Sequence, residues 1–205
     1  TKSFTLTVPQ LEQSILLPEP DVMIKEDDFS GGTLDPQLEK VGDGSGTLTL
    51  EDGRLVLTKT STARDFDGLH YYFDPNEVGI TEGVIGVGFT LERSDDKQVN
   101  FKVQNTGGGD LAAVQWSGSS VHAYSRETPT DSAANRLVKS DLSTLGPVQV
   151  KFLFNMDTNM HSMWMDGEKL VDNQYARVVN DQGAMRFYAY LQNANNMDVW
   201  IDDFK

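Results

Sequence analysis

The chain has 205 residues, 38% of them apolar, with a formal net charge of −14 and a pI of about 4.5. That is enough material for one sizeable core, and the negative field repels nucleic acid and anionic membrane surfaces, so neither is expected as a partner. With no cysteine, disulfides, thiolate metal sites and cysteine nucleophiles are excluded, and no apolar run reaches the roughly 18 residues needed to span a bilayer as a helix.

The first residues, Thr1-Lys2-Ser3, carry none of the features of a signal peptide. Residues 1–8, TKSFTLTV, alternate apolar with polar and then meet Pro9, followed by a polar connector containing Pro18 and Pro20. The stretch reads either as an edge strand or, by resemblance, as the closing strand of a preceding immunoglobulin-like repeat. Residues 1–20 are therefore expected to be a linker or closing strand, and residues 21–205 the main domain.

From Glu26 an acidic, turn-rich segment, EDDFSGGTLD, leads to a glycine-rich loop with Gly42, Gly44 and Gly46. Two alternating runs, 47–51 and 54–60, then flank a turn at Asp52-Gly53, which predicts a hairpin. Strand signals recur at 67–74, 82–92, 97–105, 110–117, 120–127, 147–155, 160–166, 184–193 and 197–204, without a helical period longer than about two turns. Many short strands joined by turns predict an all-β, two-sheet antiparallel sandwich. The longest clearly polar connection, 127–135, is either a rim loop or plain solvent-exposed chain.

Residues 148–170, VQVKFLFNMDTNMHSMWMDGEKL, hold the clearest pattern: alternation, a break at Asn155–Asn159, alternation again, and a break at Asp166-Gly167. Strict alternation sets Val148, Val150, Phe152 and Phe154 on one face. In the run from 184, the apolar set Met185, Phe187, Ala189 and Leu191 leaves Arg186, Tyr188, Tyr190 and Gln192 on the other face. Neighbouring runs offer similar rows: His70 and Tyr72; Asn100, Lys102 and Gln104; His122, Tyr124 and Arg126. Val84, Gly86, Gly88 and Thr90 form a small-residue floor on which a bulky ligand could lie.

Several apparent motifs fail on chemistry. Gly107-Gly108-Gly109 lacks the Lys-Ser/Thr and helix of a phosphate loop. Asp157-x-Asn159 lacks the sixth-position Gly and twelfth-position Glu of a calcium loop. His161 has no second histidine at ligand spacing and reads as a surface strand residue. Met156, Met160, Met163 and Met165 around Trp164 read as packing.

The order of the DDFSGG opening, the DGRLVL hairpin, TEGVIGVGFTLE, the 148–170 hairpins and the closing VWIDDFK resembles concanavalin-A-like (laminin-G-like) jelly rolls over residues 26–205. The resemblance implies two stacked antiparallel sheets with glycans held on a concave face, as in carbohydrate-binding modules of modular bacterial extracellular proteins. It also implies a structural Ca²⁺ on the convex side, on Asp27, Asp28, the Gly53 carbonyl and Asp202. By alternation Trp200, Asp202 and Phe204 share a face, so that Asp202 is flanked by apolar neighbours; Asp202 and Asp203 read equally as a solvated strand end.

Sugars are held by aromatic rings and by amides, guanidinium and carboxylates that bond hydroxyls. On that basis His70, Tyr72, Asn100, Lys102, Gln104, His122, Tyr124, Arg126, Arg186, Tyr188, Tyr190 and Gln192 are the candidate glycan-binding residues. They read alternatively as the ordinary polar outer face of an antiparallel sheet. Arg186, Arg126 and Lys102 suit an acidic polysaccharide, because guanidinium holds carboxylate or sulfate in a fork. The E-x-D-x-(x)-E triplet of jelly-roll glycosidases is absent, and Glu82 and Glu92 lie at opposite ends of one strand. Tyr188-Ala189-Tyr190-Leu191-Gln192 partly resembles the terminal strand of alginate-lyase-type enzymes, without its Lys and Gly. A lyase would then use Tyr190, His122 and Arg126. The expectation is a non-catalytic carbohydrate-binding module, secreted or on the bacterial cell surface, with neighbouring domains. A polysaccharide lyase and a structural or adhesive module are the alternatives.

Overall fold

A computed structural model describes residues 26–42, 46–60, 66–105, 107–142, 146–177, 185–192 and 197–205. The expectations for residues 1–20 and for Gly44 lie outside these residues, as does the side chain of Gln192. The elements are β1 (Leu38–Gly42), β2 (Thr47–Glu51), β3 (Arg54–Lys59), β4 (Phe66–Phe73), a 3₁₀ turn (Pro75–Val78), β5 (Val84–Arg93), β6 (Val99–Asn105) and β7 (Asp110–Ser117), then β8 (Ser120–Ser125), β9 (Ala134–Lys139), β10 (Val148–Asn155), β11 (Met160–Met165), β12 (Glu168–Tyr175), β13 (Met185–Gln192) and β14 (Met197–Asp202).

They form two seven-stranded antiparallel sheets, the first in the order β1-β4-β13-β6-β7-β8-β9 and the second in the order β12-β11-β10-β5-β14-β3-β2. The all-β sandwich read from the sequence is therefore the fold. No helix among the described residues is long and apolar enough to cross a membrane.

Alternation builds the core between the sheets. Phe101 and Phe187 of the first sheet interlock with Phe89 and Phe152 of the second, with ring centroids 4.7 Å apart for Phe89–Phe187 and 6.0 Å for Phe101–Phe152. Such aromatic contacts add to simple area burial. The turns are the predicted ones. Asp52 and Gly53 (φ 52° and 74°) join β2 to β3, and Asp166 and Gly167 (φ 47° and 78°) join β11 to β12. At the β10–β11 turn the Asn155 side-chain oxygen accepts from the backbone N–H of Asp157 and Thr158, both at 2.9 Å, so these residues serve the chain reversal.

Four expectations are corrected. The floor of Val84, Gly86, Gly88 and Thr90 belongs to β5 in the second sheet, opposite the strands that carry the polar rows. His161 is buried, because the β10–β11 register sets it opposite Phe154 on the core face. Phe204 does not share the outer face of Trp200 and Asp202: Asp203 takes φ 50°, which breaks the alternation and turns Phe204 into the core against Tyr71 and Phe187. The polar 127–135 connection is cut short by β9, an edge strand from Ala134 that the polar sequence ANRLVK conceals.

Candidate functional site

The outer face of the first sheet gathers most of the predicted polar rows. In the register, Tyr188 on β13 sits between His70 on β4 and Lys102 on β6, Arg186 sits between Tyr72 and Gln104, and Tyr190 sits between Gly68 and Asn100. Beyond β6 the rows continue through Ala113 to Tyr124 and through Gln115 to His122. Period-two alternation puts these side chains on one face, and the sheet order brings strands distant in sequence side by side.

Tyr188 and Tyr190 stack with centroids 4.8 Å apart and planes 26° from parallel. The His70 ring meets Tyr188 edge-on at 4.5 Å, and its Nδ1 lies 3.2 Å from the Tyr72 hydroxyl and 3.5 Å from Arg186 Nη1. Gly68 makes this cluster fit, since a Cβ there would lie 2.8 Å from Tyr190 Cβ and 2.9 Å from Tyr188 Cε2. The Tyr72 hydroxyl also donates to Glu39 Oε2 at 3.3 Å.

Beside the cluster, next to Gln104, stands a carboxylate that alternation misplaces. Counting back from Trp116, Val114 and Ala112, which face the core, Asp110 would face the core as well. A bulge at Leu111, where Val103 pairs with Ala112 but Gln104 pairs with Asp110, turns Asp110 onto the outer face. There Asp110 Oδ1 accepts from Gln104 Nε2 at 2.7 Å, and Oδ2 accepts from Lys102 Nζ at 3.3 Å and Arg177 Nη1 at 3.0 Å. Gln104 Oε1 in turn accepts from Arg186 Nε at 3.0 Å, and Lys102 Nζ lies 5.4 Å from the Tyr190 ring centre. One buried carboxylate thus organises three cations. Asp110 and Arg177 were not found from the sequence. Arg177 follows a strand of the other sheet and reaches this face only through the fold.

Burial divides the candidates. Asn100 and Gln104 share the face but are 3% and 5% exposed, so they hold their neighbours and do not present themselves to a ligand. His70, Tyr72, Lys102, Tyr124, Arg186, Tyr188 and Tyr190 are half-buried. Arg126 follows β8 and donates to the Pro129 carbonyl at 3.0 Å, in its own loop. Tyr190 and His122 stand on strands three spacings apart, about 14 Å, so Tyr190, His122 and Arg126 are not brought together as one catalytic set. Gln192 ends β13 opposite Phe66.

The electrostatics are those of neutral rings among cations. Burial, followed by the Arg186 charge, lowers the pKa of His70 to about 4, so the imidazole is neutral at pH 7. Burial, followed by Tyr188 and Asp110, pushes Tyr190 up to about 12, and burial also raises Tyr188. Both phenols therefore keep their protons and can donate as well as accept.

At the other end, Asp27 pairs with Phe204 through the backbone and so brings the acidic opening to the end of β14. Its carboxylate accepts from Phe29 N at 2.8 Å and from the Tyr71 hydroxyl at 3.0 Å. The Asp28 carboxylate serves Ser30, and that of Asp202 accepts from Asp203 N at 2.8 Å. Calcium needs six to eight oxygens. Among the described residues no three acidic or imidazole side chains are gathered as metal ligands. Asp27 and Asp28 lie beside the end of β14, which carries Asp202, and Gly53 lies in the β2–β3 turn.

No known protein family and no curated protein matches the chain. Solved structures do. A sialidase superposes with a TM-score of 0.61 at 8% identity, over 82% of this chain and 16% of that one. The CBM2 module of the evolved Dit protein of Lactobacillus casei BL23 phage J-1 gives 0.57 at 10% identity, over 88% and 93%. The carbohydrate recognition domain of Emp47p gives 0.53 at 13% identity, over 87% and 91%. The chain thus spans about one sixth of the sialidase but nearly the whole of the two binding domains. The fold is the two-sheet jelly-roll sandwich shared with these structures.

Proposed function

We propose that this chain is a non-catalytic carbohydrate-binding module that takes a polysaccharide, preferentially an acidic one, on the outer face of its first sheet, within a larger extracellular polypeptide. The observation that carries this reading is the cluster of His70, Tyr72, Tyr188 and Tyr190 held on Gly68 beside the cations Lys102 and Arg186. Ring surfaces suit the C–H faces of sugars, while phenol hydroxyls and guanidinium suit their hydroxyl and carboxylate oxygens. The cluster is tied together before any ligand arrives, which lowers the ordering cost of binding. A role in glycan recognition also agrees with the likeness to the carbohydrate recognition domain of Emp47p.

A lyase base would need a phenol that loses its proton readily, and Tyr190 is shifted in the opposite direction. Affinity electrophoresis through gels containing acidic or neutral polysaccharides tests the proposal, with absorbance near 235 nm followed on the same mixtures. Retardation without rising absorbance is expected, and Tyr190→Ala is expected to abolish it. Rising absorbance would establish a lyase. No retardation by any polymer would favour a structural or adhesive module, and unchanged retardation of Tyr190→Ala would remove the site from this face.

A further inference from the structure

Arg177 is the cation on this face best placed to meet a ligand's charge. Its side chain is 50% exposed, whereas that of Lys102, bound to the same Asp110 oxygen, is 15% exposed. Arg186 is engaged by Gln104 and His70, and Arg126 by its own loop. Arg177 is also held in place: Nη1 donates to Asp110 Oδ2 at 3.0 Å, and the guanidinium lies 6.0 Å from the centre of the Tyr124 ring. A guanidinium fixed at one nitrogen and half open to solvent retains donors for a second, forked partner.

Charge decides what that partner is. Among the described residues the carboxylates of this cluster are Asp110, which Lys102, Arg177 and, through Gln104, Arg186 surround, and Glu39 at the Tyr72 edge. The excess is positive, on a chain whose net charge is −14. We propose that Arg177, positioned by Asp110 beside Tyr124, forms an anion subsite that reads a carboxylate or sulfate of an acidic sugar. The ligand then lies across the strands from His70 on β4 to Tyr124 on β8, about 19 Å at four strand spacings. This rests on the sugar-binding reading above and adds the residue that selects the charged class.

Gels containing dextran, dextran sulfate or polygalacturonate separate the cases, because they present no charge, sulfate or carboxylate. The wild-type chain is expected to be retarded by at least one of the two charged polymers more strongly than by dextran, and which one names the anion. Arg177→Gln is expected to weaken that retention roughly ten- to hundredfold, the worth of a charge-assisted hydrogen bond, without changing retention by dextran. Asp110→Asn, which frees the guanidinium, is expected to weaken it in the same direction. Full retention of Arg177→Gln by the charged polymer overturns the proposal. If that variant melts several degrees lower, Arg177→Lys is read instead: it keeps the charge and loses the fork, so reduced retention supports the subsite and full retention overturns it. Wild-type retention by dextran alone overturns the proposal and leaves the sugar reading standing. Retention by no polymer overturns the reading on which it rests.

Discussion

His161 and His70 show how burial sets the chemistry of a single side chain. Burial lowers both to about 4, assisted at His70 by the neighbouring Arg186 charge and opposed at His161 by a backbone bond with Gln174. In the unfolded chain each titrates near its ordinary value of about 6.5. Between about 6.5 and about 4 the unfolded state binds more protons, so stability is full above that window and falls as pH falls through it. Most of the window lies above the range in which ordinary carboxylates titrate. The urea midpoint is therefore expected to drop between pH 7 and pH 5, and His161→Leu, which removes the more deeply buried ring, is expected to flatten the drop. An identical pH profile in that variant would show that His161 takes up its proton without unfolding. The position was legible in part, since His161 has the parity of Met163 and Met165, which face the core. Its lack of a metal-ligand partner was mistaken for exposure.

At the scale of the strand, alternation sorts β13 correctly, and the row of Arg186, Tyr188 and Tyr190 could be read from sequence because nothing interrupts that strand's pairing with β4 and β6. It misplaces Asp110 and Phe204, where the bulge at Leu111 and the left-handed backbone of Asp203 each shift the phase. Which strands adjoin was equally invisible, so the floor of β5 was assigned to the wrong sheet. Gly68 belongs to this scale as well: it is a vacancy in β4 into which β13 sets its tyrosines. A Cβ there would lie 2.7 Å from the Ala189 carbonyl oxygen, whereas one at Gly88 would meet nothing nearer than 3.9 Å. Gly68→Ala is expected to cost about 1–3 kcal/mol by overpacking and to lose polysaccharide retention with it. Gly88→Ala, at an open strand position, is expected to be neutral or slightly stabilising. Equal urea midpoints for the two variants would show that the aromatic cluster does not depend on the space at Gly68.

For the molecule as a whole, the two sheets are joined at one end by charge as well as by apolar packing. Lys59 ends β3 in the second sheet and Asp67 is the second residue of β4 in the first; both side chains are 0% exposed, with Nζ 3.4 Å from Oδ2. The other oxygen, Oδ1, accepts from Gly46 N at 3.0 Å and faces Lys40 Nζ at 3.6 Å. Gly46 allows this close approach, because a Cβ there would stand 2.6 Å from Asp67 Cγ. A buried pair gains little over apolar packing, but a buried charge left without its partner is costly. Lys59→Met leaves Asp67 with the 34% exposed Lys40 as its remaining cation and is therefore expected to destabilise the chain by up to about 3–5 kcal/mol. In Lys59→Met/Asp67→Asn neither charge of this pair remains, and the amide oxygen can still accept from Gly46, so the double variant is expected to recover most of the loss. Urea unfolding of wild type, both single variants and the double variant completes the cycle. A double variant as unstable as Lys59→Met alone would mean that the damage lies in lost packing by the lysine stem, and that the charge pair does not couple the sheets.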